Sequence, residues 1–251
     1  MIEVLEKISN NGKYIFLAYD HGLEHGPTDF DEKSIDPNYI LEIAEKGGFS
    51  GVILQKGVAE KYYKNSRLRK KVPLILKING KTRLPKTDPY SPQECSIEFA
   101  KSLGAFAVGY TIYPGSEYEW RMIKEFGEIV ERAHKLKMPV IAWIYPRGES
   151  VENESDPNIV AWAARIGLEL GADMVKVKYS GSRKTFQKVV LVAGKVKVVV
   201  SGGEEKTEEE FLEMVRDVIS AGAAGIAVGR NVWQRENPLE ITNKIKKIIF
   251  K

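Results

Sequence analysis

Eight short apolar runs recur along the chain, most without strict apolar/polar alternation, and this rhythm limits the fold more than any other feature. They are Tyr14–Tyr19 (YIFLAY), Gly51–Leu54 (GVIL), Leu74–Ile78 (LILKI), Phe106–Tyr110 (FAVGY), Val140–Trp143 (VIAW), Met174–Lys178 (MVKVK), Val196–Val200 (VKVVV) and Gly225–Val228 (GIAV). A strand with one wet face alternates. Runs rich in Val and Ile throughout are covered on both faces, as in parallel sheets.

Segments of helical period separate the runs. Tyr39–Lys46 carries Ile40, Leu41, Ile43 and Ala44; Trp120–Leu136 carries Ile123, Phe126, Ile129, Val130 and Ala133. Ile159–Leu170 and Glu208–Ala221 repeat the pattern. Gly47-Gly48, Gly104, Gly171 and Gly222 follow helical segments and precede strands, where helices end. The corners Leu103-Gly104-Ala105, Leu170-Gly171-Ala172 and Ala221-Gly222-Ala223 suggest one repeated unit. Eight such units in 251 residues predict a closed (β/α)8 TIM barrel, an α/β fold with one domain over residues 1–251. An open doubly wound sheet is the alternative, but no GxGxxG follows the first strand. The turn-rich stretch Lys77–Gln93 reads as an excursion over one barrel end.

Composition narrows the function classes. Lys and Arg number 38 against 34 Asp and Glu, without a basic arm or a basic stripe interleaved with aromatics, so nucleic acid is not an expected partner. No apolar stretch approaches the ~20 residues of a membrane helix. Met1–Asn10 lacks the basic start and apolar run of a secretory leader, and Cys95 is the one cysteine. The expectation is a cytoplasmic protein with no membrane partner.

In such a barrel, chemistry stands at the carboxyl ends of the strands. Alternation in Met174-Val175-Lys176-Val177-Lys178 puts the valines on one face and turns both lysines toward the barrel axis. A lysine in a partly dry site, beside another ammonium, tends to lose its proton and can then attack a carbonyl to form an iminium. Solvated or acid-paired lysines are the plainer reading. Ile141, Trp143 and Tyr145 share a face before Pro146-Arg147-Gly148. Tyr145 can exchange protons there if a cation lowers its pKa from ~10. Asp20 shares a face with Phe16 and Ala18 and also points to the mouth. His21 and His25 stand in a glycine-punctuated segment that reads as a tight loop, whereas a metal pair at that spacing needs a helix, so no metal is expected.

The last two strands end in Ser201-Gly202-Gly203 and Gly229-Arg230-Asn231. Backbone N–H groups in glycine turns after strands seven and eight form the usual phosphate site of these barrels, with Ser201 and Arg230 adding hydrogen bonds. A phosphate clamp, a lysine, a tyrosine and a carboxylate at one mouth suit a sugar phosphate whose carbonyl is captured as an imine. No cofactor is implied.

The stretches AYDHGLEHGP (18–27), FSGVILQKGVAEKYY (49–63), LILKINGKT (74–82), AVGYTIYPGSEYEW (107–120), YPRG (145–148) and AVGRNVWQR (227–235) closely resemble archaeal-type class I fructose-1,6-bisphosphate aldolases of the DhnA-like group. The resemblance implies metal-independent cleavage of that sugar to dihydroxyacetone phosphate and glyceraldehyde 3-phosphate. It implies that Lys176 forms the imine, that Tyr145 moves the proton, that Asp20 is a second catalytic group and that Trp143 lines the site. It puts the C1 phosphate on the SGG and GRN loops and His21, His25, Asp29 and Arg147 along the site. Lys178 is left as an alternative nucleophile by alternation. Homo-oligomers built as rings, decamers among relatives, are implied as well. Glu204-Glu205 directly after the clamp is a departure, and both acids should point outward. The rival readings are a sister transaldol enzyme making an aminodideoxyheptulosonate for aromatic biosynthesis, and a non-catalytic sugar-phosphate-binding barrel.

Overall fold

In a computed structural model describing residues 1–251, the eight runs are parallel strands that close into a barrel in chain order. They are β1 (Tyr14–Tyr19), β2 (Gly51–Gln55), β3 (Leu74–Lys77), β4 (Ala105–Ile112), β5 (Val140–Ile144), β6 (Met174–Val177), β7 (Lys197–Ser201) and β8 (Gly225–Val228). Closure is visible in the register: Leu17 on β1 lies opposite Val52 on β2 and Val228 on β8. The (β/α)8 barrel expected from the sequence is the fold, and β1 and β8 have the predicted bounds.

Around the barrel run α1 (Ile2–Glu6), α2 (Gly22–His25), α3 (Pro37–Lys46), α4 (Lys56–Val58), α5 (Ile97–Ser102), α6 (Glu119–Lys135), α7 (Pro157–Glu169), α8 (Arg183–Val192), α9 (Glu208–Ser220), α10 (Arg230–Trp233) and α11 (Pro238–Ile249). The four predicted helices are α3, α6, α7 and α9. α3 and α7 each begin two residues before their apolar periodicity, because Asp36 and Asp156 cap them with a proline at the first helical turn. Thr207 and Glu210 form a reciprocal capping box that starts α9. Gly48, Gly104, Gly171 and Gly222 all take positive φ just past helices, which satisfies trailing carbonyls at low steric cost.

Alternation sorts each strand's side chains between two cores. Ile15, Leu17, Val52, Leu54, Leu76, Val175, Val177 and Val200 face outward into a large cluster shared with the helices. Tyr14, Phe16, Ile53, Ile75, Ala107, Ile141, Trp143, Met174, Val199 and Ala227 face inward and fill the barrel. Each fully buried aliphatic side chain is worth about 1.5–3 kcal/mol, so the outer layer supplies most of the stabilisation. The base is closed by α1, whose Leu5 is completely buried inside the barrel, while Glu6 pairs with Lys197 at 2.8 Å. The excursion after β3 crosses the mouth, anchored by Asn79, whose amide bonds the carbonyls of Ser91 (2.8 Å) and Thr111 (2.9 Å). No helix is long and apolar enough to cross a membrane.

Candidate active site

The inward alternation that builds the core runs out at the carboxyl ends of the strands and leaves a cavity of about 530 Å³. Asp20, His21, His25, Trp143, Tyr145, Arg147, Lys176, Lys178, Ser201, Gly202, Gly203, Gly229 and Arg230 all line it. Of the residues singled out from the sequence, only Asp29 stands behind the wall. Its carboxylate meets His25 Nδ1 at 2.8 Å and Arg230 at 3.4 Å, tying the first βα segment to the last.

The two lysines of β6 have different surroundings. Lys176 is inside the strand, 7% exposed, in register with Trp143, and its Nζ sits 5.3 Å from the centre of that indole. Burial pushes it down to about 8; Asp20 and Glu24 pull the other way, and Lys77 adds to the push. Lys178 lies past the end of β6 and pairs with Glu154, so it is not a second axial amine as alternation suggested. The ammonium that bears on Lys176 is Lys77, the last residue of β3.

The indole of Trp143 lies over β4 at Gly109, where a Cβ would come within 1.5 Å of the ring. Only glycine leaves room. Asp20 is buried and its Oδ2 is 3.7 Å from Lys77 Nζ. Burial alone would raise its pKa, but Lys176, Lys77 and His21 outweigh burial and hold the carboxyl below its usual range. Burial takes the neighbouring His21 down to about 4, which keeps its ring neutral near pH 7. The buried atoms Trp143 Nε1, Thr111 Oγ1 and His21 Nε2 have no hydrogen-bond partner within the protein. A cavity wall with unspent polar groups suits a polyhydroxylated ligand.

Three sequence-based expectations need correction. Tyr145 carried the condition that a cation lower its pKa, and that condition is not met: burial first, and then the Asp20 charge, raise it well above 10. Its hydroxyl is a proton donor at rest. The segment around His21 and His25 is a turn of helix, α2, and not a loop; both rings turn to Asp29. Within the clamp, the Gly202 N–H is spent on Ala227 O at 2.9 Å, so that residue offers no donor.

The other groups expected to form a phosphate clamp stand together at the ends of β7 and β8. Gly203 has φ +72°, and a Cβ at Gly229 would approach Ala18 O to 2.8 Å, which holds the strand-eight turn tight against β1. Arg230 also donates to Gly203 O at 3.3 Å. Asn231 donates to the carbonyls of Gly202 (3.1 Å) and Glu204 (2.7 Å), lacing the two loops together. Glu204 and Glu205 are exposed, although Glu204 borders the cavity. On another side of the mouth Arg147 bonds Glu24 at 3.1 Å and Glu154 at 2.8 Å, with Lys81 and Arg83 beside Glu24.

Sequence reasoning missed Lys77, Thr111, Glu24 and Glu154. Period two in Leu74–Lys77 and Ala105–Ile112 carries the signal for the first two, since Ile75 and Ala107 face the barrel interior. The two glutamates stand on loop-side elements, and nothing in their spacing aims them at the mouth.

The family description of DeoC/LacD family aldolases matches residues 14–235. The chain is similar to the class 1 fructose-bisphosphate aldolase of Thermoproteus tenax, at 55% identity over 98% of this chain and 93% of that protein. It is also similar to the enzyme of that name from Halobacterium salinarum, at 43% over 97% and 92%. A solved archaeal fructose-1,6-bisphosphate aldolase, with its catalytic lysine covalently bound to the carbinolamine intermediate of the substrate, superposes with a TM-score of 0.95. That match has 53% identity and covers 100% of this chain and 99% of that one.

Proposed function

The chain belongs to the DeoC/LacD family of aldolases, and on that premise we propose that it is a Schiff-base aldolase that reversibly cleaves fructose 1,6-bisphosphate, a step of glycolysis and gluconeogenesis, with Lys176 as the imine-forming amine. One observation supports that residue above others. Lys176 is the buried mouth lysine that makes no ion pair, and its pKa near 8 leaves a usable fraction of neutral amine at pH 7.

Ser201, the Gly203 and Gly229 turns and Arg230 receive the C1 phosphate, which anchors the adjacent C2 carbonyl for attack by Lys176. Tyr145, protonated at rest, gives its proton to the departing C2 oxygen as the carbinolamine loses water. The phenolate so formed then takes the C4 hydroxyl proton as the C3–C4 bond breaks and its electrons flow into the iminium. Glyceraldehyde 3-phosphate leaves, the Tyr145 hydroxyl returns its proton to the enamine at C3, and water, giving a proton back to the phenolate, adds to the iminium and releases dihydroxyacetone phosphate. Asp20, held ionised, stabilises the iminium charge. The far phosphate meets Arg147 and Lys178. A homo-oligomer, with the exposed indoles of Trp120 and Trp162 as contacts, belongs to the same proposal.

Borohydride reduction in the presence of fructose 1,6-bisphosphate, followed by peptide mass spectrometry, tests this reading. The adduct is expected on Lys176, with turnover unaffected by EDTA. An adduct on another lysine, or none with turnover intact, overturns it.

A further inference from the structure

The mouth buries two lysines and one carboxylate side by side, and the mechanism above uses only one of the lysines. Lys77 ends β3, is 6% exposed, and lies in register with Gly109 on β4, the residue beneath the Trp143 ring. Its Nζ is 3.7 Å from Asp20 Oδ2. Lys176 makes no such contact, although Asp20 is the carboxylate acting on it most strongly.

We propose that Lys77 is a positioning residue that occupies the Asp20 carboxylate and so keeps Asp20 from capturing Lys176 in an ion pair. The proposal rests on Lys176 being the imine-forming amine. Two ammonium groups cannot both be balanced by one buried carboxylate, so the amine without a close acidic partner gives up its proton most easily. With Lys77 seated on Asp20, that amine is Lys176. Take Lys77 away and one ammonium faces one carboxylate, a pairing that holds Lys176 charged and unable to attack. The other groups around Lys176 do not replace this control. Glu24 on α2 is already bonded to Arg147. His21 beside Asp20 is neutral near pH 7, and Tyr145 just past β5 is a neutral phenol. Lys178 beyond β6 is paired with Glu154.

The test is the pH dependence of reductive trapping with dihydroxyacetone phosphate and cyanoborohydride, from about pH 6 to about pH 10. The wild-type limb is expected near 8. In Lys77→Met it moves up by about one unit or more, so trapping at pH 7 falls about tenfold. Lys77→Arg keeps the limb within about 0.3 unit of wild type, because the charge is retained. A Lys77→Met limb that stays in place or moves down overturns the proposal. Should Lys77→Met alone not fold, as judged by its melting transition, the same substitution is made on Asp20→Asn, where neither charge is left buried alone. Because Lys77 acts through Asp20, the limb of the double variant then coincides with that of Asp20→Asn, and a limb about one unit or more above it, the mark of a direct Lys77–Lys176 repulsion, overturns the proposal. Failure of the wild type to trap at Lys176 would overturn the aldolase reading instead, so the two failures are distinct.

Discussion

The two ends of the barrel are built from the same parts and use them oppositely. At the base, an inward lysine meets a carboxylate at once: Lys197 pairs with Glu6 at 2.8 Å, and Leu5 of α1 plugs the opening. At the mouth Lys176 is left without a partner of its own, over an indole whose N–H is also unpaired. Ion pairing is completed at the closed base and withheld from the amine proposed to react. Substitutions at the base should therefore be read in stability, and those at the mouth in turnover.

The largest effect that sharpens this contrast is at the amine. Lys176→Met should lower kcat/KM by about 10⁴-fold or more, as loss of a covalent nucleophile does, with the fold intact by circular dichroism. Lys178→Ala should cost about tenfold or less, mostly in KM, since its partner is Glu154. Equal losses in the two variants would break the distinction between the lysines. Next in size, Leu5→Ala should destabilise by about 2–5 kcal/mol in denaturant titration while leaving kcat unchanged. A kcat that falls in parallel would show that the base communicates with the mouth. Smallest is a linkage effect. Because the folded state holds Lys176 near 8 and the unfolded chain near ~10.4, the unfolded state binds more protons between those values, so stability rises with pH in that window. Below it the wild type carries the cost of a buried ammonium. Lys176→Met should lose the rise and be more stable at pH 7 by on the order of 1–2 kcal/mol, measured by melting across pH. A steeper rise in the variant would contradict the burial argument.

The same comparison explains what was legible in the sequence. Strands, outer helices and the inward face of Lys176 follow from period two and period 3.6, which are local properties. The glycine turns after β7 and β8, proposed to hold a phosphate, follow from glycine placement at strand ends. The state of each group did not, because it depends on neighbours far along the chain. Glu154 pairs with Lys178 across 24 positions and so argues against it as the nucleophile, and Asp20, just past β1, helps to raise Tyr145. Lys77 was within reach of the alternation rule, but its run ends in a turn-rich stretch that reads as loop. The α2 turn was hidden by glycines at both ends, which local propensity assigns to a loop; the backbone bonds His25 N to His21 O (2.8 Å) and Gly26 N to Gly22 O (3.0 Å) form it all the same.

A methyl group that is missing at position 109 has a reach well beyond its own strand. The ring of Trp143 rests in the gap, and the amine of Lys176 rests over the ring. Mutation there is thus constrained by a neighbour's shape and not by any reactivity of its own. An alanine would tilt the floor beneath the proposed nucleophile, so one hydrogen atom in place of a carbon sets the seat of an amine on a strand two places away.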